Sequence, residues 1–590
     1  MNLLNALKTI KIFSKQEPLI PLSTKWGEKV DYRHVLDEYP RPYLKRDSFM
    51  NLNGFWQYSI TETKCFPQYF HEKILVPFSP EAPLSKVNIQ LKPGEYLWYQ
   101  KFILLQRKEN KKTILHFGAV DQIAEIYINQ ENIYTHVGGY LPFEIDITKY
   151  VQEGINDITV CVQDKSEHGY HAKGKQRLKR GGMYYTAQSG IWQTVWIEEV
   201  PLTYIKDVKI VPDFDHSQIL LTIFLNQATD ENIIIEIDGQ DKLEVSSSKK
   251  VINQTIKISN KIAWSPENPH LYNIKITTRD DEVTSYFAMR CFTIENDENN
   301  IPRICLNHQP IFMNGVLDQG YWPDGLYTAP SDEALIYDIK MMKELGFNTI
   351  RKHIKIEAAR WYYHCDRLGM IVWQDMVNSG FRYHPLIVTY LPTVFKCMRK
   401  NFSDKHKYLL SRFDKNSRQE FIRECKNTVD YLSHFPCIST WVLFNEGWGQ
   451  FETAKLTDYL RQVDPTRLID SASGWFDQKC GDFRSEHHYF DKPKIIADKR
   501  AFVISEYGGL TYRVKDHVSS NRIYGYQNYE DINEYQNNYH LLFEQMIKPL
   551  IYQGLCGAIY TQLSDIEDEI NGLLTYDRKV CKLKKDSNGQ

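Results

Sequence analysis

Two glutamates stand where a carboxylate could do chemistry. Glu446 ends an apolar run in WVLFNEGWGQ (441–450), and Glu506 does the same in FVISEYGG (502–509). Each lacks a neighbouring cation in the chain and precedes a glycine within two residues. This is unlike the usual surface glutamate, which pairs with a nearby lysine or arginine. Two carboxyl groups held about 5 to 5.5 Å apart are what retaining glycoside hydrolysis requires, one to protonate the leaving oxygen and one to attack the anomeric carbon. The ordinary alternative, two structural ion pairs, remains open on this pattern alone.

For the two groups to meet, both runs must end at one surface. From residue 310 onward, apolar runs of strand length alternate with segments of helical period: PIFMNGV (310–316), FNTIRKH (347–353), MIVWQDM (370–376), CISTWVLF (437–444), LIDSAS (468–473), SEHHYF (485–490), FVISE (502–506) and GAIYTQ (557–562). Helices are expected from 331, capped by Ser331, with Leu335, Ile339 and Met342 inward and Gly346 as the stop, and then at 356–368, 416–433, 450–463 and 531–553. Eight such steps predict a (β/α)8 TIM barrel over 296–590, whose chemistry belongs at the C-terminal ends of its strands. Glu446 then follows the fourth strand and Glu506 the seventh, facing each other across the ring. Arg351, His353, Asp318, Asp375, Asn445 and Tyr489 also fall at strand ends. Asp318 and Asp375 are expected either to accept from sugar hydroxyls or to serve as helix caps or loop anchors, Tyr489 to orient Glu506 unless His488 does so or it is a core tyrosine, and Trp448 to stack on a sugar face, with Trp373 in the core. An excursion at 377–415, rich in Tyr, Phe, Arg and Lys, is expected to wall the pocket.

Ahead of the barrel the rhythm is that of an all-β chain. Short alternating runs over 28–200 (GFWQYSI, LWYQKFILL, TILHFGAV, AEIYIN) predict a jelly-roll sandwich, and those over 201–295 an immunoglobulin-like β-sandwich. NDENNIPRI (296–304) reads as a linker.

Composition narrows the partner. Lys plus Arg number 72 against 74 Asp plus Glu, so no field recruits nucleic acid or an anionic membrane. Aromatics at 13% offer faces that suit a carbohydrate. The 11 Cys lack CxxC pairs or zinc spacing and read as reduced thiols. The start, MNLLNALKTIKIFSKQEPLIP, has lysines throughout and no small-residue cleavage site, and no apolar run approaches the roughly 18 residues of a membrane span, so a cytoplasmic protein is expected.

Several segments together resemble glycoside hydrolase family 2, which contains β-galactosidases, β-glucuronidases and β-mannosidases: LNGFWQY, VPFSPE, SGIWQTVWIE, WSPENPHLY, NTIR, FPCISTWVLFNE and SEYGG, in that order. The resemblance implies a sugar-binding jelly roll, an immunoglobulin-like sandwich and a catalytic barrel. It assigns Glu446 as acid/base, Asn445 as partner of the sugar 2-hydroxyl, Glu506 as nucleophile and Arg351 as a hydrogen-bond donor to that nucleophile. His353 lies one residue short of the family's usual histidine. The family's β-glucuronidases carry Asn-x-Lys where this chain has Glu569 and Asn571 in EDEINGLLTYDRK. A carboxylate there would repel a uronate, so a neutral glycon, β-galactoside first, is expected. Lys352 and Lys355 keep β-uronidase as an alternative beside β-mannosidase. CKNTVDYLSHFP lacks the Glu-x-His of the family's metal-dependent members, so neither metal nor other cofactor is expected. A carbohydrate-binding protein without activity is the alternative from another class, and the resemblance leaves monomer and homo-oligomer both open.

Overall fold

The computed structural model describes residues 17–70, 72–246, 248–383, 387–388, 401–489 and 491–583. The expectations for residues 1–16, for 384–386 and 389–400 of the long excursion, and for Phe490 lie outside these. The chain folds as an N-terminal jelly-roll sandwich, an immunoglobulin-like sandwich and a TIM barrel. In the first sandwich a six-stranded sheet has Tyr96–Leu105 at its centre, with Tyr99 opposite Tyr58 on one side and Val160 on the other. It faces a four-stranded sheet built on Lys111–Phe117 and Val195–Pro201. Strand alternation explains the layers: in Ile123–Ile128 every second residue, Ala124, Ile126 and Ile128, is buried. The second sandwich pairs a three-stranded with a four-stranded sheet and repeats the device in Gln218–Leu225, where Ile219, Leu221, Ile223 and Leu225 point inward.

The stretch expected to be a linker is a hairpin. Phe292–Asn296 pairs antiparallel with Pro302–Leu306 around a turn closed by the Asp297 carboxylate, which accepts from the Asn299 and Ile301 amides. Its Arg303 donates to the Ile551 carbonyl, so the hairpin seals the N-terminal end of the barrel.

The barrel strands are β1 (Met313–Asp318), β2 (Thr349–Lys352), β3 (Ile371–Asp375), β4 (Ile438–Val442), β5 (Leu468–Asp470), β6 (Phe483–His488), β7 (Ala501–Gly508) and β8 (Leu555–Thr561). They pair in the order β5-β4-β3-β2-β1-β8-β7-β6, which closes the ring except for a ladder between β5 and β6. The first barrel helix, α1 (Asp332–Glu344), starts as expected, with Ser331 accepting from the Ala334 amide. The others named here are α2 (Ala359–Leu368), α3 (Lys415–Leu432) and α4 (Thr453–Val463), while the single helix expected over 531–553 is interrupted by a π-helical turn at Phe543–Ile547. All ten described cysteines are free thiols, and no described helix is long and apolar enough to cross a membrane.

Candidate active site

β4 is buried along its length and delivers Asn445 and Glu446 just past its end. There the chain is stitched to the segment after β5: Asn445 bridges Ser473, and the Glu446 amide donates to the Ser473 carbonyl at 2.9 Å. Glu446 itself has φ +50°, a left-handed conformation that costs a non-glycine residue about 1–3 kcal/mol and persists where the surroundings over-determine it. The adjacent glycines serve close packing within the protein. A Cβ on Gly447 would lie 2.2 Å from the Phe476 ring, and one on Gly449 would lie 2.7 Å from the Ser379 carbonyl. Glu506 is aimed by a different device. The pairing of β7 shifts register against β6 after Glu486 and against β8 between Ile504 and Tyr507, an irregularity that turns the side chain into the mouth.

These placements bring the two carboxylates together. Facing oxygens of Glu446 and Glu506 lie within 4.8 Å of each other and of His487 Nδ1. His487, on β6, is 3.0 Å from Glu446 Oε1 and 3.5 Å from Glu506 Oε2. The two side chains thus reach each other across the mouth, from strands separated in the ring by β5 and β6 on one side and by β3, β2, β1 and β8 on the other. Glu506 accepts from Arg351 Nη1 at 3.2 Å and from the Tyr489 hydroxyl at 2.5 Å. Burial pushes its carboxyl up, but the neighbouring His487 and Arg351 outweigh that and hold it at about 2. Its side chain is 6% exposed, against 17% for Glu446, so Glu446 has the better access to water.

Arg351 is the scaffold of the cluster. Nε and Nη2 grip the two oxygens of Asp375 at 2.9 Å each, Nη2 also donates to Asn445 Oδ1 at 2.9 Å, and Nη1 is shared between Glu506 and the Ser505 carbonyl. All its donors are used. Asn445 is thus fixed by its oxygen, while its amide NH2 has no partner among the described residues. His353 lies beside it, its Nδ1 2.7 Å from Asp375 Oδ2; burial, then the charges of Lys175 and Arg351, push its pKa well below the ordinary value, leaving a neutral ring.

Three expectations for the sugar contacts change. Asp375 has both oxygens occupied by Arg351 and His353, so it is a positioning group. Asp318 pairs with Lys352 at 2.5 Å and accepts from the Gly320 amide, in a separate cluster with Glu357 and Lys355. Trp448 is only 2% exposed and stacks on Tyr184 of the first sandwich, with ring centroids 5.8 Å apart, and so offers no open face. Trp441 bonds Asp464 on the helix side of the barrel, and Trp373 is a core residue beneath the mouth, as expected.

The sequence reading missed His487; its neighbour His488 bonds Glu486. Strand parity offered a clue, since Ser485 and His487 share the inward face of β6. It also missed Trp475, a half-buried ring 5.3 Å from that of His487 and a better sugar-facing aromatic than Trp448, and Tyr526, stacked on Tyr489 at 4.1 Å. Two groups of described residues have the ligand types and proximity for a metal ion: the carboxylate pair with His487, and exposed Asp215 and His308 with half-buried Cys291.

The comparisons bear on the whole of this architecture. Residues 68–201 match "Glycosyl hydrolases family 2, sugar binding domain", 203–290 match "Glycosyl hydrolases family 2" and 299–559 match "Glycosyl hydrolases family 2, TIM barrel domain". A β-galactosidase of Thermoanaerobacter pseudethanolicus is 29% identical over 72% of the chain, and a putative β-glucuronidase of Formosa agariphila is 27% identical over 70%. The chain spans about half the length of these curated relatives, 56% and 50%. Among solved structures, the β-D-glucuronidase of Dictyoglomus thermophilum superposes with TM-score 0.70 at 17% identity, covering 92% of this chain and 96% of that one. A β-galacturonidase of Eisenbergiella tayi bound to galacturonate gives 0.67 at 16% identity, covering 92% and 97%. At such identities the likeness is one of fold.

Proposed function

Because this chain belongs to glycoside hydrolase family 2, we propose that it is a retaining, exo-acting β-glycosidase that works by double displacement through a glycosyl-enzyme. The observation that carries this reading is the carboxylate pair, with oxygens within 4.8 Å, of which Glu506 is held ionised at about 2. That spacing suits direct attack by one carboxylate, whereas an inverting enzyme needs about 6.5 to 9.5 Å to seat a water.

In this reading Glu506 attacks the anomeric carbon from the site where Arg351 and Tyr489 fix its two oxygens. Glu446, on the more exposed side, gives its proton to the departing glycosidic oxygen. Forming the ester removes the charge of Glu506, and Glu446, now a carboxylate, takes a proton from the incoming water. The amide NH2 of Asn445 donates to the sugar 2-hydroxyl, where hydrogen bonds strengthen in an oxocarbenium-like transition state. His487 lies between the carboxylates, and its charge lowers the pKa of Glu506. The glycon is a hexopyranose, β-galactoside and β-uronide being the two candidates that the relatives' names support.

The test is proton NMR of the sugar released at early times from nitrophenyl β-glycosides. Initial release of the β-anomer is expected; initial release of the α-anomer would overturn the double displacement, and absence of turnover on every glycon would overturn the enzyme.

A further inference from the structure

One cation in the mouth has no role in the mechanism above. Lys175 comes from the first sandwich, in the segment KGKQR (173–177), and is nine-tenths buried. Its Nζ lies 6.0 Å from the Trp448 ring centroid, and its charge acts on both Glu506 and His353. No acceptor for its three N–H groups exists among the described residues. The other lysines near the mouth are all spoken for. Lys173 donates to the Gly380 carbonyl. Lys352 bonds Asp318 and Glu357, and Lys355 bonds Glu357 and the Gly320 and Tyr327 carbonyls. The two lysines that the sequence offered as an anion site are therefore neutralised within the protein.

The segment that carries Lys175 is built to hold it there. Gly174, at φ +60°, presses its backbone against the barrel: a Cβ would lie 2.6 Å from the Tyr327 hydroxyl and 3.2 Å from the Ile354 carbonyl. Gln176 is locked by the Tyr140 hydroxyl and the Gln188 amide. Arg177 lies flat on Tyr184 at 3.4 Å, adding a second positive charge at the rim.

An ammonium this buried is costly unless an acceptor completes it. No hydrogen bond joins it to Glu506, whose oxygens accept from Arg351 and Tyr489. Glu506 balances Lys175 only through space, and at the glycosyl-enzyme stage that charge has moved to Glu446. A ligand that brings its own carboxylate supplies the hydrogen-bond acceptor that the protein does not. Glu569, which the sequence placed against a uronate, has its oxygens bonded by Tyr185 and Asn571.

We propose that Lys175 is the anion-binding residue of the glycon subsite and that the sugar removed is a β-uronide whose carboxylate pairs with its ammonium. This rests on the glycosidase reading. It makes the first sandwich a direct contributor to sugar specificity.

The experiment is a panel of nitrophenyl β-D-glucuronide, β-D-galacturonide, β-D-galactoside, β-D-glucoside and β-D-mannoside, assayed with wild type, Lys175→Met and Lys175→Arg. Unfolding temperatures are measured alongside, and Lys175→Gln substitutes if the Met variant does not fold. A uronide is expected to be the preferred substrate. Its kcat/KM should fall about 100-fold or more in Lys175→Met, at least about 10-fold more than that of any neutral glycoside, with part recovered in Lys175→Arg. Preference for a neutral sugar, or an equal loss on both classes, would overturn the proposal. If no glycoside is turned over, the hydrolase reading falls, and calorimetry with free glucuronate, galacturonate and galactose decides the Lys175 assignment. Uronate binding that is lost in Lys175→Met upholds it; no selective uronate binding overturns it.

Discussion

Two clusters of buried charge sit next to each other at the C-terminal end of the barrel, and they begin at consecutive residues. Arg351 points into the mouth and joins Asp375, Glu506 and Asn445. Lys352, one residue on along β2, points the other way, bonds Asp318 and Glu357 and lies 4.0 Å over the ring of Trp361 on α2. A single step of strand alternation separates them. The Lys352 cluster is closed: its lysines and carboxylates satisfy one another. The Arg351 cluster is open, because Glu446, the Asn445 amide and Lys175 keep hydrogen-bonding capacity that the protein does not use. Burial and charge are common to both; unspent donors and acceptors distinguish a site from a structural knot.

Substitutions in the two clusters should therefore fail differently. Glu506→Ala is expected to lower kcat/KM of the folded enzyme about 10^4-fold or more, beyond any stability lost with this partner of Arg351. Glu357→Gln should leave catalysis by the folded enzyme nearly intact. It weakens the acceptor of two buried lysines, so denaturant unfolding should show a loss of about 3–5 kcal/mol, while kcat per folded molecule stays within about 3-fold. A Glu357 variant that folds normally but is dead would break the distinction. Glu446→Ala comes next, with a loss of about 10^2–10^4-fold on glycosides with poor leaving groups, a much smaller loss on dinitrophenyl glycosides that need no acid, and recovery of the latter by azide. Tyr489→Phe, which removes one of the bonds fixing Glu506, should cost about 10-fold to 100-fold in kcat, against Asp318→Asn, which should cost about 1–3 kcal/mol of stability and little activity.

The smallest effect is in pH. Glu506 is held at about 2, so it remains a carboxylate as pH falls from 7 to 4. Glycosylation by a dinitrophenyl glycoside should stay flat over that range. In the closed cluster burial pushes Asp318 up, but Lys352 wins and its pKa lies below the ordinary 3.8. Its contribution to stability is thus complete above that value and lost as pH drops below it. Acid unfolding of Asp318→Asn should be less steep than that of wild type below about pH 4.

Much of this was legible in the sequence where one local pattern had one structural meaning. The eight strands, the Ser331 cap, and Asn445, Glu446 and Glu506 at strand ends all followed from apolar runs and their terminators. Failures came where the deciding partner lies far away in the chain. Asp318 and Asp375 are equivalent as strand-end aspartates; only Lys352 and Arg351, placed by the fold, show that both are already engaged. Asn-rich NDENNIPRI carries turn chemistry that serves a linker or a hairpin equally. Trp448 was expected to face a sugar, but Tyr184, from another part of the fold, covers it. Lys175 had no periodicity linking it to the barrel, and its loop is pinned there by Gly174 and Gln176 in contacts no spacing encodes.

The most direct test of the open cluster is to trap the intermediate. The enzyme is incubated with activated 2-deoxy-2-fluoro β-glycosides of galactose, glucuronic acid and galacturonic acid, digested and mapped by mass spectrometry. A single glycosyl adduct on Glu506, absent from Glu506→Ala, is the predicted result. An adduct on Glu446 or elsewhere, or an adduct of the same mass on Glu506→Ala, would contradict the assignment of Glu506 as the nucleophile of this cluster.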